Sequence, residues 1–188
     1  MGLFSRRPRI VVTNLFVALD TASFADVLTL CTQAEARIAE GGADFRVASD
    51  ALAQVCGALL DRLANATHAA CFGEVFDRED EAFAFGQACF ADLSSRYLAA
   101  PDTGTPAPAE PGERRAVVML TAAFNGEQPA LEGALDSGPA VEAALRALVA
   151  LHHQDALLVA HIHHAPAHPD DRLTDEQMLV NYPELLSL

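Results

Sequence analysis

The stretch "ALRALVALHHQDALLVAHIHHAP", Ala144 to Pro166, changes its period halfway. Up to Asp155, Val141, Ala144, Leu145, Leu148 and His152 recur at helical spacing and share one face. Pro139 suits the first turn of that helix. From Asp155 to His163, "DALLVAHIH" is a short apolar run of strand length. Upstream, "AVVMLTAAF" (Ala116 to Phe124) is a second such run, closed by the turn chemistry of "NGEQP". A strand, a helix of crossover length and another strand predict a parallel pair with a right-handed connection.

Toward the N-terminus, "RIVVTNLFVAL" (Arg9 to Leu19) is apolar almost throughout, the signature of a strand covered on both faces. Phe24, Val27, Leu28, Cys31, Ala34 and Ile38 then follow helical spacing, and Gly41 with Gly42 supplies a stop. Phe45, Ala48, Leu52, Val55, Cys56, Leu59 and Leu63 form a second stripe. From Asn65 to Arg96 the pattern reads as helical with breaks. One apolar cluster at Phe72, Val75 and Phe76 is separated by "DREDE" from another at Phe83, Phe90, Leu93 and Tyr97. "AAPDTGTPAPAEPGE" (Ala99 to Glu113) has no period and the composition of a mobile linker. Near the end, Thr174 and Gln177 form a capping box, with Leu173 and Met178 at its staple positions. The helix they start runs to about Tyr182, before Pro183.

The expectation is an α+β or α/β fold with about three strands, near 9–19, 116–124 and 156–163, packed by helices. At 188 residues the chain is expected to be a single domain. A strand-plus-helical half (9–98) and a strand-helix-strand-helix half (114–188) would flank the linker at 99–113.

Apolar residues make up 51% of the chain, which places it among globular proteins rather than disordered ones. The net charge of -14 repels phosphate backbones and argues against general nucleic-acid binding. Cys31, Cys56, Cys71 and Cys89 contain no C-x-x-C pair and read as reduced structural thiols, which suits a cytoplasmic protein. No run approaches the roughly 18 apolar residues of a membrane span. "MGLFSR" departs from a myristoylation start because Arg6 stands where Ser or Thr is required. The membrane contact that remains is a weak surface one through Leu3, Phe4, Arg6 and Arg7.

Six of the seven histidines, His152, His153, His161, His163, His164 and His168, fall within seventeen residues. His152 and His153 sit at a helix C-terminus, where imidazolium favours the dipole. On a strand, His161 and His163 share a face about 7 Å apart, and His164 points the other way. That pair can share a transition metal such as zinc, with His164 or His168 as further ligands. With parallel strands, Asp20, Thr21, Asn125, Glu127, His163, His164, His168, Asp170 and Asp171 would gather on one edge. H-E-x-x-H is absent, and so are phosphate-loop motifs. There is no G-x-S-x-G, and no Ser or Cys stands in a recognisable activating context.

"VVMLTAAFNGEQPAL", "ALRALVALHHQDALLVAHIHHAP" and "LTDEQMLVNYPELLSL" together resemble the domain-of-unknown-function family fifteen-seventeen, mainly over residues 115–188. The closing motif lies on Leu173, Thr174, Glu176, Leu179, Tyr182, Pro183, Glu184 and Leu185. The resemblance implies the family's soluble domain and brings no catalytic residues. Many relatives end the third strand with a V-x-W-T-P pattern where this chain has "HIHHAP", so the histidines are its own feature.

The leading expectation is a non-enzymatic protein-interaction or regulatory domain that binds a protein partner or itself, without a required cofactor. The rival is a metal-binding protein or metal-dependent hydrolase using zinc or another transition metal at His161, His163, His164 and His168.

Overall fold

The structure is a computed structural model and describes residues 9–20, 24–41, 44–98, 115–166 and 173–188. The 99–113 linker, the N-terminal "GLFSRRP" and His168 lie outside the described residues. The chain runs β1 (Ile10–Asp20), α1 (Phe24–Glu40), α2 (Phe45–Leu60), β2 (Ala66–Phe76), α3 (Glu79–Leu98) and β3 (Arg115–Asn125). It continues through α4 (Gly138–His153), β4 (Leu157–Ala165), α5 (Asp175–Asn181) and β5 (Leu186–Ser187). Among the described residues the fold is α+β: five helices and one five-stranded sheet of order β4-β3-β1-β2-β5. Every strand pair is antiparallel.

This corrects two expectations. The sheet has five strands rather than about three, because β2 and β5 were missed. "ATHAACFGEVF" holds alanines and a glycine, which favour strands weakly, so its local pattern lacks a strand signal. It is a strand because β1 pairs with it from Ile10 to Leu19, a non-local choice that overrides weak propensity. The run 77–81 then serves as bend and helix start, with Glu79, Asp80 and Glu81 in the first turn of α3.

The second correction concerns sense. β3 and β4 are neighbours but antiparallel, with Leu120 opposite Ile162. The connection does not cross over. After Asn125 the chain runs back across one sheet face, where Leu131 and Leu135 are buried. The Leu131 carbonyl accepts from Thr13 Oγ1 at 3.5 Å and from Cys71 Sγ at 3.2 Å. Helix α4 then returns to the end where β3 finished. A parallel crossover needs one traverse of the sheet, and this connection makes two.

Alternation along the strands builds both layers. Odd-numbered β1 residues (Val11, Leu15, Val17, Leu19) pack with the inner faces of α1, α2 and α4. Even-numbered ones (Val12, Phe16, Ala18) face α3 and the C-terminal segment. β1 is buried from Ile10 to Leu19, as its continuous apolar run predicts. On the second face the Phe16 ring lies edge-on to Phe72 at 5.1 Å and to Tyr182 at 6.2 Å. The Thr174/Gln177 capping box forms. Leu173, Met178, Tyr182 and Leu185 are buried in the Phe16 cluster. Arg96 ties the closing segment to α3 through Glu184 at 2.9 Å. Several side chains of the closing motif are therefore anchors of the fold.

Candidate binding cleft along the open edge of β4

β4 is the last strand of the sheet, so one of its edges pairs with β3 and the other carries no strand among the described residues. Along it lies a cleft of about 530 Å³ that takes in both faces of the strand. On one side, Glu35 and Ile38 of α1 stand over Ile162 and His164. On the other, Phe90 and Leu93 of α3 stand over His161 and His163. Strand alternation explains the division: an odd-even step along β4 switches the helix that each side chain meets.

The expected pairing of His161 with His163 on one face holds. Both rings pack against Phe90, with centroids 4.9 Å and 4.6 Å away. His164 points to the opposite face, where its Nδ1 donates to Glu35 Oε1 at 3.0 Å. A carboxylate only accepts, so neutral His164 carries its lone pair on Nε2. The Nε2 atoms of His161, His163 and His164 are all buried and lack a hydrogen-bond partner. Leaving such an atom unpaired costs about 1–3 kcal/mol, so three around one strand are an unusual concentration.

Burial holds the His161 and His163 imidazoles below the usual histidine range. At His163, Glu35 opposes that shift, and His161 and His164 add to it. In the unfolded chain the same side chains titrate near ~6.5. Above that pH both states are neutral at these positions. Below it the unfolded chain takes up protons that the folded one refuses, so stability falls as pH drops toward the folded value. Urea midpoints at pH 7.5 and 5.5 check this. The His161→Leu/His163→Leu protein should lose less than the wild type between them, and equal losses would contradict the assignment.

The wider constellation does not assemble on one edge. Antiparallel pairing places Asp20 opposite Arg115 and Asn125 opposite Ile10, at opposite ends of the sheet. His163 and His164 lie toward the Asp20 end, because Ala165 pairs with Val117. Glu127, just after Asn125, belongs to the other end. Thr21, Asp170 and Asp171 are outside the described residues. Among the described residues no three His, Cys, Asp or Glu side chains form a group arranged to hold a metal ion. His152 lines a different pocket, against α2, with its ring 5.1 Å from that of His153.

All four cysteines are free. Burial pushes Cys31 and Cys56 up to about 12 and raises Cys71 and Cys89. These are poor nucleophiles near neutral pH. A buried polar row, outside the predicted site residues, lies beside the histidines. Thr121 Oγ1 donates to Asn14 Oδ1 at 2.7 Å, and Asn14 Nδ2 contacts Cys89 Sγ at 3.5 Å. Thr121 is directly opposite His161 in the ladder. The signal was present in the sequence, as one asparagine inside an otherwise apolar strand.

No helix among the described residues is long and apolar enough to cross a membrane. One family model, described as protein of unknown function (DUF1517), matches residues 9–188. No curated protein and no solved structure matches the chain.

Proposed function

The chain belongs to the DUF1517 family of proteins of unknown function, and within it we propose a protein-interaction domain that takes an extended peptide segment onto β4. The observation that carries this reading is a cleft embracing both faces of an edge strand. An added strand satisfies open backbone groups and sends its side chains alternately to the two sides. Here one set meets Ile38 and Ile162, and the other meets Phe90 and Leu93.

The test starts from a displayed library of random peptides, followed by affinity measurements on the selected sequence. In an antiparallel strand, successive residues direct their N–H groups to opposite neighbours. So one of Ala160→Pro and His161→Pro removes an outward donor, which an edge strand tolerates, and the other breaks the ladder to β3. The variant that keeps its fold should bind about 3- to 10-fold more weakly, the net worth of the one backbone hydrogen bond it removes. Unchanged affinity in that variant sinks the proposal. A dimer in sedimentation that the same proline dissolves would identify the segment as β4 of a second copy.

The buried Nε2 atoms of His161 and His163, on one face, support a second reading. In it the pair holds zinc or another transition metal, completed by His168 or the docked segment, since His164 faces the other side. Metal at one equivalent in protein purified without a histidine tag, and lost in the His161→Ala/His163→Ala protein, would favour it. Metal-free protein whose melting ignores chelator removes it.

A further inference from the structure

A separate pocket of about 370 Å³ lies between α2, the end of α4 and the start of β4. Ser49, the fifth residue of α2, places its Oγ 2.8 Å from Nδ1 of His152, in the last turn of α4. On the other side of that ring, Nε2 is 3.6 Å from Asp50 Oδ1. The chemistry sets the proton positions. With the Ser49 hydroxyl donating to Nδ1, neutral His152 carries its hydrogen on Nε2, facing the Asp50 carboxylate. A hydroxyl, an imidazole and a carboxylate in that order are the parts of an activated nucleophile. A tie between two helices explains the 2.8 Å bond. It does not explain why the bond lines a cavity, with a carboxylate behind the imidazole.

We propose that Ser49, His152 and Asp50 form an acyl-transfer site for small carboxylic esters. Ser49 Oγ attacks the ester carbonyl carbon and its proton passes to His152 Nδ1. The carbon–oxygen bond to the alcohol breaks, and the alcohol leaves with that proton. Water, giving a proton to His152, then cleaves the acyl-Ser49 ester to the carboxylic acid, and Ser49 recovers its proton. Phe45 and Leu157 line the pocket for the apolar part of the substrate, and Arg46 brings a permanent positive charge to the same lining for the developing oxyanion. Asp50 is a positioning residue, facing the hydrogen that the imidazole must keep.

The experiment uses the full chain with p-nitrophenyl butyrate and, separately, a fluorophosphonate label. Expected is hydrolysis well above buffer, with the label mapping to Ser49 by mass spectrometry. Ser49→Ala should lose both, with its melting temperature checked. His152→Asn should lose about 100-fold or more in kcat, the range of general-base catalysis. Asp50→Asn should lower kcat and leave KM unchanged, a split that a loss of packing would not produce. Ser49→Cys conserves size and nucleophile, so it should fold and take a thiol-directed label at position 49, should Ser49→Ala unfold. Hydrolysis undiminished in Ser49→Ala, the absence of a fluorophosphonate adduct on Ser49, or an unreactive thiol in folded Ser49→Cys overturns the proposal.

Discussion

Phe16→Ala should lower the unfolding free energy by about 3–5 kcal/mol, the range for deleting a buried aromatic ring. Phe16 is fully buried on the central strand, and its ring is edge-on to both Phe72 and Tyr182. The void left behind has little freedom to close. β1 is held by β2 and β3 on either side, and α5 is fixed by its capping box and by the Arg96–Glu184 pair. A double-mutant cycle with Tyr182→Ala should give a coupling of about 0.5–1.5 kcal/mol for the ring pair. Urea unfolding reads both quantities. A loss below about 1 kcal/mol would mean that the C-terminal segment does not pack on β1 as described.

Gly73→Ala should cost about 3 kcal/mol or more, the upper end of overpacking penalties. Gly73 pairs with Thr13 in the β1–β2 ladder. A methyl group there meets the Val12 carbonyl oxygen and comes within 2.9 Å of Thr13 Cα, both of them backbone atoms of the central strand. Backbone cannot swing aside as a long side chain does, so the two strands must separate locally. Gly57→Ala is the internal control. It lies inside α2 with nothing within 4 Å of its added methyl, and should stabilise by about 0.4–1 kcal/mol. Similar effects at the two glycines, measured by urea or thermal unfolding, would contradict the strand assignment of residues 66–76.

That assignment marks how far local pattern carries. β1 and β3 are legible because both faces are buried, which makes their runs continuously apolar. The inner faces of α1, α2 and α4 follow the predicted stripes, with Leu28, Cys31, Leu52, Val55, Leu145 and Leu148 all buried. In α3 the predicted cluster divides: Leu93 is buried, but Phe83 is 58% exposed and Phe90 38%, while Ala82, outside the cluster, is buried. Bulk misled there, since the sheet admits small residues beneath that helix. The sense of β4 was illegible for another reason. It depends on the path of residues 126–137, which hydrogen bonds from Thr13 and Cys71 fix far along the chain.

The site divides in the same way. That His161 and His163 share a face and His164 opposes them follows from alternation alone. Their partners do not follow from it, because Glu35 is 129 residues from His164 and reaches it only in the folded chain. Ser49 and His152, 103 residues apart, are the sharper case. Neither sits in a recognisable motif, and their meeting depends on the packing of α2 against α4.

Binding of a peptide along the open edge of β4, as proposed above, is read from amide hydrogen exchange across residues 157–165 with and without the library-selected peptide. Exchange should slow at alternate β4 amides, those directed away from β3, with β1 and β3 unchanged. Saturating peptide that leaves every β4 amide exchanging at its free rate would contradict it.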